Sequence, residues 1–291
     1  MSKHTLKNSD IIIAINDLGA ELCSIKDAST DTEYLWNADA THWKRHSPIL
    51  FPIVGGLVNN EFTYKGKTYP MSQHGFARDS VFELISKTET ELSHRLISSE
   101  ESLKVYPFDF ILDISYKLEG RKITVSWKVT NPSDTTLYFS IGAHPAFMCP
   151  VNSQGVQSDY YIGFDSNKNI TYSLLGTGGC LNPTTYELPL ENGIVKITED
   201  LFTKDALIIE NSQSSRVSLL NPEKKPYVTV TFDAPLFGLW SPASGKAPFV
   251  CIEPWYGRCD QEGFTGEFSE KQWMNSLEKD QIFEASYTIE L

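Results

Sequence analysis

Alternation with period two constrains this chain more than any other feature. Ile11, Ile13 and Ile15 fall on one face of an extended segment. Ile123, Val125, Trp127 and Val129 alternate with Thr124, Ser126 and Lys128, as Val228, Val230 and Phe232 do with Thr229 and Thr231. Phe283, Ala285, Tyr287 and Ile289 repeat the pattern almost to the last residue. Successive side chains of a strand point to opposite faces, so each run can bury one face and wet the other. β-Branched and aromatic residues fill the runs, and turn clusters such as Glu119-Gly120 and Asn131-Pro132-Ser133 separate them. The pattern predicts an all-β fold: a large antiparallel β-sandwich with few short helices, in which Phe283 to Leu291 supplies the closing strand.

Two local expectations accompany that fold. Ser269 to Leu277 reads as one short helix, capped by Ser269 and carrying Trp273 and Leu277 at i, i+4 spacing. Asn152 to Lys168 is the least patterned stretch and reads as an exposed loop. With no internal repeat, low-complexity tract or linker, residues 1–291 are read as one domain, a size that β-sandwiches reach.

Charge and cysteine usage narrow the partners. A net charge of −12 argues against nucleic acid and against an anionic membrane surface, which need clustered Lys and Arg. It leaves room for a small anion held by a few local cations. No run approaches the ~18 apolar residues that a membrane span needs, and no charged-then-apolar leader opens the chain. The five cysteines are scattered without a C-x-x-C pair, which predicts reduced thiols in a cytoplasmic protein.

Three islands stand out from the strands: Gln73-His74-Gly75-Phe76-Ala77-Arg78, Gly142-Ala143-His144-Pro145-Ala146-Phe147, and Cys251-Ile252-Glu253-Pro254-Trp255-Tyr256-Gly257. Each sets an ionisable side chain in stiff backbone beside aromatic rings. A Glu and a His facing one another across a cleft form an acid–base pair. Trp255, Tyr256, Phe76 and Phe147 at its edge would suit a sugar ring, whose C–H faces stack on aromatics. Arg78, with Lys44 and Arg45 as possible neighbours, is either an anion-binding group or a member of an internal ion pair. His42 and His46 are four apart beside Trp43 and Ser47-Pro48, a context that does not favour a helical metal pair, and His4 and His94 are read as solvated. Ser47 to Gly56 reads as a buried strand ending in a tight turn. Neither a phosphate-binding G-x-x-x-x-G-K-[ST] nor a G-x-S-x-G elbow is present.

The combination Phe51-Pro52, His74-Gly75-Phe76-Ala77-Arg78, Gly142-Ala143-His144-Pro145-Ala146-Phe147 and Ile252-Glu253-Pro254-Trp255 resembles the aldose 1-epimerase (galactose mutarotase-like) family. Within it the likeness is to the LacX-type branch, near the glucose-6-phosphate 1-epimerase-like proteins, and it covers nearly the whole chain. The resemblance implies a supersandwich with an open cleft, no cofactor and no metal, interconverting the α and β anomers of a hexose or hexose phosphate as a monomer or homodimer. It assigns Glu253 as catalytic base and His144 as catalytic acid. It assigns His74 and Asp205 to the sugar, and Arg78 to the substrate or its phosphate. Trp255, Phe147 and Arg45 complete the expected binding set. One departure is Gly56, where the family pattern often has Arg.

The chemistry fits those roles. Opening a pyranose takes a proton from the anomeric hydroxyl and delivers one to the ring oxygen. A Glu with pKa near ~4.3 is ionised at neutral pH, and a His near ~6.5 is partly protonated, more so beside a carboxylate. The alternatives are a sugar-binding or regulatory protein without turnover, suggested by Gly56, and a glycosidase, which would need a second carboxylate across the bond.

Overall fold

The computed structural model of the protein describes residues 2–245 and 247–291. Two large antiparallel sheets dominate it. The nine-stranded sheet runs, edge to edge, through Ile194–Lys196, Tyr161–Phe164, Arg216–Leu220, Pro226–Phe232, Ile282–Glu290, Lys122–Thr130, Ile111–Glu119, Glu91–Ile97 and Glu83–Lys87. The second runs through Leu181–Leu188, Ile170–Leu175, Leu207–Ile209, Leu236–Trp240, Phe249–Tyr256, Ile141–Ala143 and Ile49–Leu50. Its eighth strand, Ala146–Met148, also pairs with Phe249–Tyr256. A three-stranded sheet, Lys3–Lys7, Ile11–Asn16 and Leu22–Asp27, adds a further layer.

The period-two runs explain how the sheets meet. Ile123, Val125, Trp127 and Val129 are all buried, and so are Ile11, Ile13 and Ile15. From the facing sheet come Phe237, Leu239, Val250 and Ile252, in the same continuous core. Phe283 packs edge-on against both Phe139 and Tyr256, which ties the closing strand to the opposite sheet. That strand pairs with Lys122–Thr130 over nine residues and with Pro226–Phe232 on its other side.

Two expectations about local structure do not hold. Ser269 to Leu277 is not a helix: Phe268–Glu270 is a 3-10 turn, and Asn275–Leu277 is a strand paired with Leu137–Phe139. Side-chain anchors override the helical spacing. Lys271 is buried in an ion pair with Asp260, Arg258 bonds Gln272, and the Trp273 indole donates to Glu210 at 2.6 Å. Asn152 to Lys168 is only partly loop, because Tyr161–Phe164 is an inner strand of the nine-stranded sheet. Among the described residues the one α-helix is Glu100–Val105, opened by a reciprocal Ser99/Ser102 capping box. No helix among the described residues is long and apolar enough to cross a membrane.

Candidate active site

The strand Phe249–Tyr256 builds the floor of the site. Its even-numbered residues Val250 and Ile252 enter the main core. Alternation therefore sends Cys251, Glu253 and Trp255 to the outer face. Two glycines clear room for the Trp255 ring: a Cβ on Gly238 would lie 2.4 Å from it, and one on Gly142 2.6 Å. His144 sits in the short link between Ile141–Ala143 and Ala146–Met148. Both flanking segments pair with the floor strand, Gly142 with Trp255 and Ala146 with Cys251. That register brings residue 144 level with residue 253, and His144 Nε2 lies 3.3 Å from Glu253 Oε2.

His74 arrives from a separate loop and is clamped at both ends. Its backbone N–H donates to the Gly55 carbonyl at 2.9 Å, and the Gly55 N–H donates to its Nδ1 at 3.1 Å. His74 adopts a left-handed backbone conformation, φ 67°. For a non-glycine residue this costs on the order of 1 kcal/mol or more, a strain often found at functional sites. The next residue must be glycine, since a Cβ at position 75 would stand 2.3 Å from the Phe51 carbonyl oxygen.

These groups open onto a cleft of about 250 Å³, lined also by Arg78, Asp205, Gln73, Ile208, Trp43 and Trp240. Trp43 stacks on the His144 ring with centroids 4.7 Å apart, Trp240 meets it edge-on at 5.5 Å, and His74 at 5.6 Å. The Asp205 side chain is held by its bond from the Ala206 N–H at 2.7 Å. Arg78 donates to the Gln73 carbonyl at 2.6 Å, and its Nε stands 3.8 Å from Asp79.

Several expected residues lie elsewhere. Phe147 is fully buried in the core, on the opposite side of its strand from the cleft. Phe76 and Tyr256 also pack against the core. Arg45 does not line the cleft; its guanidinium is held by Asp79 at 2.9 Å, and Lys44 is exposed outside it. Trp255 does line the cleft, and its other aromatic walls are Trp43 and Trp240, which were not expected there. His94 is not solvated: it is 0 % exposed and shares the Asp17 carboxylate with His4, at 3.2 and 2.7 Å. His46 is engaged by the Trp36 carbonyl at 2.7 Å.

Burial sets the protonation of the pair, against the expectation of an ionised Glu beside a partly charged His. Desolvation pulls His144 down to about 3, with repulsion from Arg78 and Arg45 adding to it. It pushes Glu253 well above the carboxylate range, with the Asp205 charge adding to it. His74 is also held well below its ordinary value by burial, then by His144. Burial thus favours the neutral forms of His144, His74 and Glu253, with His144 Nε2 and Glu253 Oε2 3.3 Å apart.

This has a consequence for stability. The unfolded chain takes up protons on both histidines as pH falls through about 6.5, whereas the folded chain refuses them. Folded Glu253 retains a proton that the unfolded chain gives up above about 4.5, which offsets one of the two. His94, also held below its ordinary value by burial, adds to the loss, so the net effect is a decline in stability as pH falls from 6 to 5. Urea melts at pH 7, 6 and 5 should show that decline. A His74→Phe/His144→Phe double variant should decline less steeply, with the buried His94 keeping its share of the effect, whereas a variant that declines as steeply as the parent would contradict the assignment.

The sequence profile of aldose 1-epimerases matches residues 2–272. The chain belongs to the aldose 1-epimerase family. Its curated relatives include the chromosomal protein LacX of Lactococcus lactis subsp. lactis, 34% identical over 262 residues and covering 87% of each chain. Among solved structures it is similar to a galactose mutarotase related enzyme from Lactobacillus acidophilus, 37% identical, TM-score 0.94, with 99% of this chain and 97% of that one covered. A galactose mutarotase-like protein from Lactobacillus casei is 31% identical, TM-score 0.93, with 99% of each chain covered. These likenesses agree with the supersandwich expected of an aldose 1-epimerase.

Gly56 can be placed against that family pattern. A Cβ there would lie 3.2 Å from the Gly179 carbonyl, because the turn Thr177–Gly179 fills the space. The Gly56 carbonyl also accepts the Asp260 N–H at 3.0 Å. A side chain at 56 would press on this turn, and in this member of the aldose 1-epimerase family Arg78 supplies a guanidinium that lines the cleft.

Proposed function

We propose that the chain interconverts the α and β anomers of a hexose or hexose 6-phosphate, with Glu253 and His144 exchanging the protons. The observation that carries this reading is the buried 3.3 Å contact between the two groups at the floor of a cleft sized for one sugar ring. Moving the shared proton across that contact turns carboxylic acid and imidazole into carboxylate and imidazolium without exchange with solvent. Glu253 then takes the proton of the anomeric hydroxyl, and His144 gives one to the ring oxygen. Rotation about C1–C2 and the reverse transfers close the other anomer. Only the one-proton form of the pair can do this, so a bell-shaped pH dependence follows.

The polar walls supply orientation. His74, clamped by Gly55, and Asp205 offer hydrogen bonds to ring hydroxyls, and Trp255, Trp43 and Trp240 offer apolar faces. Arg78 is the cation available to an anionic substituent. Burial lowers its pKa only to about 10, so it stays charged. Its Nε has no hydrogen-bond partner among the described residues. A charged guanidinium lining the cleft favours a phosphorylated substrate.

Saturation transfer between anomeric protons, run over free and 6-phosphorylated hexoses, tests both points. Exchange faster than in buffer is expected for at least one sugar. Arg78→Met should cost a sugar phosphate at least about tenfold more than its neutral parent, one charge-assisted bond being worth roughly 1.5–3 kcal/mol. Equal losses would return Arg78 to a structural role. Binding without exchange for every sugar would favour the non-catalytic sugar-binding reading, for which the substitution at Gly56 is the supporting observation.

A further inference from the structure

Cys251 shares the outer face of the floor strand with Glu253, two residues away, and the acid–base chemistry makes no use of it. Its thiol has no hydrogen-bond partner among the described residues, and its side chain is 0 % exposed, beneath Trp43 and Trp240. The Cys251 Sγ, a ring nitrogen of His144 and a carboxylate oxygen of Glu253 all lie within 4.8 Å of one another. We propose that these three side chains form a site for a thiophilic divalent cation such as Zn²⁺, and that its occupancy switches the epimerase reaction off.

The donor set suits such an ion. Zinc binds sulfur at about 2.3 Å and imidazole nitrogen or carboxylate oxygen at about 2.0 Å, which puts donors of a tetrahedral site roughly 3.3–3.7 Å apart. The His144–Glu253 spacing of 3.3 Å already meets that requirement. The thiol lies within 4.8 Å of both of those donors. Three protein donors and a fourth position facing the cleft make an open site, in which water or a sugar hydroxyl completes the shell. A thiolate among the donors selects Zn²⁺ over Mg²⁺ or Ca²⁺, which prefer oxygen.

The inhibition rests on the acid–base reading of the pair. A cation between His144 and Glu253 takes the place of the proton they share and occupies both lone pairs that the reaction needs. Binding also releases the Cys251 proton, so the apparent affinity rises with pH. Cation and turnover therefore exclude one another.

The second cluster of the kind, His4, Asp17 and His94, has no sulfur and lies on the N-terminal hairpin and the strand Glu91–Ile97. Cobalt substitution separates the two, because only a thiolate gives a sulfur-to-Co²⁺ charge-transfer band in the near ultraviolet.

The test begins with chelator-treated protein. Zn²⁺ is titrated while anomer exchange is followed, and Co²⁺ is titrated while the spectrum is recorded. Exchange should stop as Zn²⁺ reaches stoichiometry and return with EDTA, and Co²⁺ should produce the thiolate band. Cys251→Ala should keep the metal-free rate, lose the band and need at least about tenfold more Zn²⁺ for half-inhibition, a direct ligand being worth no less than an outer-shell partner. Cys251→Ser serves the same comparison if the alanine variant does not fold. Full turnover in excess Zn²⁺, activation by it, or unchanged Zn²⁺ sensitivity in the variant would overturn the proposal. If the metal-free parent shows no exchange, the epimerase reading fails, whereas the cobalt band still decides the site.

Discussion

Glu253→Gln is expected to lower kcat by roughly 10²–10⁴-fold, the usual share of a general base, while the protein keeps its fold and binds sugar. The amide matches the carboxylic acid in size and can still hydrogen-bond the His144 ring, but it cannot accept a proton. Because burial already drives Glu253 toward its neutral form, a neutral isostere removes no stabilising charge. The melting temperature should therefore stay level or rise slightly. If Glu253 were a structural ion-pair partner, the pattern would invert, with a lower melt and unimpaired exchange. Running melt and exchange on one preparation separates the two roles.

The second large effect concerns the closing strand. Removing Phe283 to Leu291 is expected to abolish soluble folding. The lost segment fills a gap between two inner strands, so both neighbours would expose unpaired backbone groups. Tyr287 and Ile289 are almost wholly buried, and Phe283 is wedged between Phe139 and Tyr256. At roughly 1.5–3 kcal/mol for each fully buried side chain, about 3–6 kcal/mol goes with Tyr287 and Ile289 alone. A domain's whole net stability is only about 5–15 kcal/mol. Expression in the soluble fraction with an unchanged melting transition would show that the sandwich closes without this strand.

That strand was legible in the sequence because its alternation is clean and both of its neighbours alternate as well. The antiparallel all-β class followed from the same signal, and the supersandwich from the resemblance to the aldose 1-epimerase family. The clustering of His74, His144 and Glu253 was legible because each stands among glycines and prolines that fix backbone direction. The aromatic walls were not. Trp255 and Tyr256 were named together, although strand parity puts Trp255 on the face of Glu253 and turns Tyr256 inward. Phe147 stands opposite Val250, a core residue, and faces the core with it. Trp43 lies in irregular backbone and Trp240 on a neighbouring strand, so only tertiary structure brings them to His144. The segment after Ser269 misled because helical spacing was present, while the buried partners of Lys271 and Trp273 could not be read from it. Protonation was the other hidden quantity: a carboxylate beside an imidazole suggests charge, and burial on all sides decides otherwise.

The account's central claim is that His144 and Glu253 act as one proton-transfer unit. The most direct measurement is the anomer-exchange rate of Glu253→Gln, His144→Asn and the double variant, on one sugar at one pH. The account predicts that each single change loses roughly 10²–10⁴-fold and that the double variant is little slower than the worse single one, as for groups that work together. Losses that multiply in the double variant, or near-parental exchange in either single one, would contradict it.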